Sequence, residues 1–117
     1  ALAAARRTPA DLRAIRRALD QRWQQRAGIE EHVDADTAFH RAVVVAAHNP
    51  ILLDLFDGFT PRLRQAMIDM LRIRADYGSE ADQQAHTDLA DAIAERDPQA
   101  AAEQSRTHLV SLKDSLR

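Results

Sequence analysis

At 117 residues the chain can build one hydrophobic core but is too short for two. Hydrophobic residues make up 45% and charged residues 29%, which excludes wholesale disorder, and a net charge of -2 with interspersed signs leaves no footprint for nucleic acid. The chain has no cysteine, which excludes disulfides and thiol chemistry, and no apolar run approaches the roughly 20 residues needed to span a bilayer.

Three glycines, four prolines and 4% aromatics, against abundant Ala, Leu, Arg, Gln and Asp, favour helix over strand. The expected fold is all-α, an antiparallel bundle of five to six helices forming one domain over residues 1–117. Residues 1–7 read as the end of an earlier helix, since Ala1–Ala5 runs straight into Arg6 and Arg7 and is too short for a signal peptide. Cytoplasmic localisation is the default. Thr8-Pro9-Ala10-Asp11 supplies an N-cap, a proline at the first helical position and an acid at the third, opening a helix over 9–27. Its apolar stripe is Leu12, Ile15, Leu19 and Trp23, and Gly28 is placed to close it.

The next helix, 30–48, carries an inward stripe of Val33, Asp36, His40, Val43 and Ala47. His32 is expected to be exposed beside Glu30 and Glu31, and His48 to be a surface residue. Asn49-Pro50 repeats the cap-then-proline signal and begins a helix over 50–76, striped by Leu52, Phe56, Phe59, Leu63, Met67 and Met70. Thr60-Pro61 should kink it. Gly78 suits a stop, and Ser79 with Glu80 and Asp82 starts a helix over 80–96, with His86, Leu89 and Ile93 inward. Asp97-Pro98 opens the last helix, 98–116, whose stripe includes Ala101, Ser105, His108, Leu109, Leu112 and Leu116. Short connections make successive helices antiparallel neighbours.

Ionisable residues on these stripes break the apolar rule. Asp36, His40, His86 and His108 project from three helices toward one interior, where an unpaired carboxylate costs several kcal/mol and imidazoles need partners. A divalent cation would compensate all four. Asp36 and His40, four residues apart, share one helix face as a chelating pair. The alternative is an Asp–His hydrogen bond with two satisfied core histidines, and spacing alone leaves both readings open.

The segments "DADTAFHRAVVVAAHNPIL" and "HTDLADAIAERDPQAA", followed by His108-Leu109, resemble the FadR-type C-terminal domain of GntR-family regulators. Asp36, Phe39-His40, Asn49, His86, Ala92-Ile93, Asp97 and His108 all fall on that pattern, and "ALAAARRTPADLRAIRRAL" looks like the family's first helices. The resemblance covers essentially the whole chain. It implies that Asp36, His40, His86 and His108 hold a divalent metal whose open positions receive a small carboxylate effector. Nitrogen-rich ligation suits Zn or Ni, and also admits Mn or Fe. Arg62 and Arg64 are candidates for a second carboxylate clamp, and Met67 for the pocket wall. Asn49 reads as a cap, and Trp23 and the Met67/Met70 pair as core. Two departures stand out: Ala85 replaces the acid often found before the third ligand, and the expected winged helix-turn-helix does not precede the domain. The chain therefore reads as a fragment of a homodimeric regulator that contacts operator DNA only through that missing domain. No membrane partner is expected. A metalloenzyme is disfavoured, because neither His-Glu-x-x-His nor Glu-x-x-His occurs. A metal-free dimerisation bundle is the main rival.

Overall fold

Capping chemistry sets most helix starts where the sequence places them. In the computed structural model, which describes residues 2–74 and 77–96 with the isolated positions 99, 103 and 106, the helices are α1 (Leu2–Arg6), α2 (Pro9–Gln24), α3 (Ile29–Ala46), α4 (Pro50–Arg74) and α5 (Glu80–Ala94). The Thr8 hydroxyl accepts from the Asp11 amide at 3.1 Å while the Asp11 carboxylate accepts from the Thr8 amide at 2.8 Å, a reciprocal capping box. Asn49 accepts from the amides of Ile51 and Leu52, and Ser79 from that of Asp82. The expected helix 98–116 lies outside the described residues.

Helix ends are less legible. α2, α3 and α5 each stop two or three residues before their expected ends, and α4 is described as far as Arg74. α3 is followed by His48 at φ 52 and α5 by Arg96 at φ 57, left-handed positions where a glycine would have flagged the stop. Gly28 does not close α2: at φ -97 it is the N-cap of α3, and α2 has already ended at Gln24. Gly78 is a true left-handed glycine at φ 72. A Cβ there would meet Arg26 Cβ at 3.0 Å, so the approach to α5 packs directly on the backbone after α2. Pro61 lies inside α4 without ending it.

α2 packs on α3 and α5, α3 on α4, and α1 bridges α3 and α5. One core cluster joins Ala3, Ile15, Leu19, Phe39, Leu89 and Ile93 from four helices. A second joins Val33, Ile68 and Leu71, with Met67, Met70 and Tyr77 against it. The expectation that successive helices neighbour each other fails for α4 and α5: among the described elements α4 touches only α3. The α4 stripe is corrected as well. Leu52, Phe59 and Leu63 are exposed and Phe56 is half-buried, whereas the residues α4 buries are Ile68 and Leu71. No described helix is long and apolar enough to cross a membrane.

Candidate metal centre

The first core cluster leaves a polar seam where α3 faces α5 over α2. Asp36 and His40 stand one turn apart on α3, and His86 enters from α5. One potential ligand atom from each lies within 4.8 Å of the others. Asp36 Oδ1 is 3.4 Å from His40 Nε2 and 3.1 Å from His86 Nε2. Buried Phe39 packs edge-on against both imidazoles, with ring centroids 5.4 Å and 5.3 Å away.

His86 is the best-defined member. It is 2% exposed, and its Nδ1 lies 2.8 Å from the Asp82 carbonyl oxygen. A carbonyl only accepts, so Nδ1 carries the hydrogen, and a neutral ring then turns the Nε2 lone pair toward Asp36. A lone pair facing a carboxylate oxygen needs a proton or a cation between them. Burial pushes the Asp36 carboxyl upward, but the imidazoles of His40 and His86 beside it, with the nearby Arg22 charge, hold it well below the usual carboxylate range. The residues fit a divalent ion. Both imidazoles bring Nε2 within 3.4 Å of Asp36 Oδ1, and one donor atom from each of the three residues lies within 4.8 Å of the others, close enough for one ion to bridge them.

Sequence reasoning missed Arg22. It is 3% exposed and donates from Nε to Asp36 Oδ1 at 2.8 Å and from Nη1 to Gln83 Oε1 at 2.9 Å, with Nη2 on the Asp82 carboxylate. One signal pointed to it: position 22 follows Leu19 by three and Ile15 by seven, on the same stripe as Trp23. Trp23 is only half-buried and lies under the Arg26 guanidinium, 3.6 Å from the ring centroid.

His32 requires a correction. It is not exposed but 3% accessible, one turn before Asp36, with its ring 5.5 Å from that of Tyr77. Its Nδ1 has no hydrogen-bond partner among the described residues. The 32/36/40 spacing was the better guide than the flanking glutamates. Burial, reinforced by the Arg22 charge, lowers the His32 pKa. His48 is exposed as expected, with Nε2 2.6 Å from Asp11 Oδ2. Arg62 and Arg64 are both exposed, and Arg64 grips Asp34 through Nε and Nη2 at 2.8 Å and 3.1 Å. Met67 is half-buried beside Ile68 and Leu71. His108 lies outside the described residues.

The family model of the FCD domain matches residues 1–111 of the chain. No curated protein matches it.

Proposed function

The chain belongs to the FCD domain family, the ligand-binding domains of GntR-family regulators, and from that premise we propose that it is a metal-dependent sensor of small carboxylates. The observation that supports this reading most strongly is the facing of Asp36 Oδ1 by two imidazole nitrogens, one of them on a ring whose Nδ1–H is already committed to a carbonyl. Asp36, His40 and His86 would hold the ion, with His108 as the fourth ligand. Zinc or nickel suits this donor set best, with manganese or iron as alternatives.

When bound, the ion supplies a Lewis-acidic site of net charge about +1, given one carboxylate and neutral imidazoles. The chain's own residues do the rest. Asp36 stays ionised, Phe39 fixes the planes of both imidazoles, and the Asp82 carbonyl holds the His86 tautomer. The remainder of the effector would contact the wall around Met67. Arg64 could clamp a second carboxylate only by releasing Asp34, and Arg62 is the alternative. Effector binding would bias the packing of α2, α3 and α5, and through them a separate winged helix-turn-helix that contacts operator DNA, in a homodimer. The domain itself is assigned no catalytic role.

A metal-free polar network is the second reading, favoured by the guanidinium of Arg22 on Asp36. Zinc titrated into chelator-treated protein separates the two. One ion per chain and a raised melting temperature are expected, with a further rise on adding citrate only when zinc is present. No bound zinc and an unchanged melt would defeat the sensor reading.

A further inference from the structure

Asp36 Oδ1 is contested. Arg22 Nε lies 2.8 Å from it, His86 Nε2 3.1 Å and His40 Nε2 3.4 Å. A carboxylate oxygen offers two lone-pair directions, so a guanidinium N–H and an incoming ion would share one atom. The two occupants carry the same sign. Arg22 is also locked in place: Gln83 and Asp82 on α5 take its remaining nitrogens, and Gln83 Nε2 in turn donates to the Leu19 carbonyl at 3.0 Å.

The guanidinium matters differently in the two states of the site. Without an ion, a desolvated carboxylate at Asp36 needs a positive charge nearby, and Arg22 supplies it. With an ion, that need is met a second time and a dication sits close to a fixed cation. An interaction that stabilises the empty protein more than the loaded one weakens binding by the difference. We propose that Arg22 is the resident counter-cation of Asp36, and that it lowers the affinity of this site for a divalent ion while keeping the empty site assembled. The proposal rests on the metal-sensor reading. It assigns Arg22 a positioning role, since the guanidinium acts through Asp36.

The sign of the effect separates this role from a merely structural one. A structural arginine, once removed, loosens the site and weakens metal binding, commonly by about ten- to a hundredfold. A resident counter-cation, once removed, gives tighter binding in a less stable empty protein.

The test is zinc affinity by competition with a chromophoric chelator, beside melting of the zinc-free protein, in wild type, Arg22→Met, Arg22→Gln and Arg22→Lys. Met and Gln remove the charge, and Gln keeps a donor for Asp36, so it carries the comparison if the Met variant does not fold. The expected result is zinc bound at least about tenfold more tightly by the neutral variants, on the scale of outer-partner effects. Their zinc-free melting falls, and Lys stays close to wild type. Unchanged or weaker zinc binding in Arg22→Gln, with wild type binding normally, overturns this proposal and leaves the sensor reading intact. Zinc binding by none of the proteins overturns both.

Discussion

Asp34 and Asp36 stand two residues apart on α3, and each accepts from an arginine Nε at 2.8 Å. Their settings are opposite. The Asp34–Arg64 side chains are 58% and 43% exposed, those of Asp36–Arg22 only 16% and 3%. Both carboxyls are held below their ordinary value, but for different reasons. At Asp34 the Arg64 bond dominates a small burial effect, whereas at Asp36 burial is the largest influence and several partners together overcome it. Bond length therefore says little about importance. In water a broken pair is re-solvated on both sides, whereas inside the bundle the remaining charge has nowhere to go.

The largest expected effect is at the buried member. Asp36→Ala leaves Arg22 facing Asp82 and Gln83 alone and removes the common neighbour of His40 and His86. A loss of about 3–5 kcal/mol is expected for a broken buried pair. Thermal melting should fall by more than about 10 °C, given about 4–8 °C per kcal/mol in a domain near this size. The zinc-dependent rise should vanish with it. A melting temperature within a few degrees of wild type would mean that Asp36 is no more embedded than Asp34.

The polar face of α3 was legible because its period is helical: Asp36 and His40 break an apolar stripe one turn apart, and His86 does so on α5. Helix starts were legible for a similar reason, since caps are single-residue chemistry. Arg22 was not, because an arginine beside an apolar stripe ordinarily extends its stem along the surface and keeps its head in water. Only the meeting of α2 with Asp36, Asp82 and Gln83 makes full burial tolerable, and that is a property of three helices at once. Flanking glutamates misled at His32 by suggesting a solvated first turn, whereas Glu30 and Glu31 point outward and His32 inward. The α4 stripe failed for the converse reason: periodicity marks an apolar face but cannot say which neighbours cover it.

His32 sharpens the comparison by adding a polar group on the buried side that lacks a compensating bond at Nδ1 among the described residues. Its pKa is lowered in the folded chain, so near its ordinary value of 6.5 the unfolded chain binds more protons than the folded one. Stability contributed by the neutral ring is then fully present above that value and declines as pH falls below it. Asp36, also depressed, contributes above its ordinary value of 3.8 and is lost only in stronger acid, so the two windows are distinct. His32→Phe should flatten the decline in melting temperature between pH 7.5 and pH 5.5 while leaving the acid limb in place. An identical slope in the variant would assign that sensitivity to another histidine.

The smallest effect is expected at the exposed pair. Arg64→Ala frees a carboxylate that is more than half exposed, and melting should change by no more than about 2 °C, less still at high salt. The same variant also bears on effector recognition. If Arg64 remains on Asp34 when a carboxylate binds, its removal leaves citrate affinity of the zinc-loaded chain unchanged. A several-fold loss of citrate affinity with unaltered melting would show that Arg64 exchanges one carboxylate for another. Its bond to Asp34 would then be the resting position of a clamp, and the contrast between the two arginines would lie in what each releases on binding: Arg64 a solvated side chain, Arg22 a share in the oxygen that receives the metal.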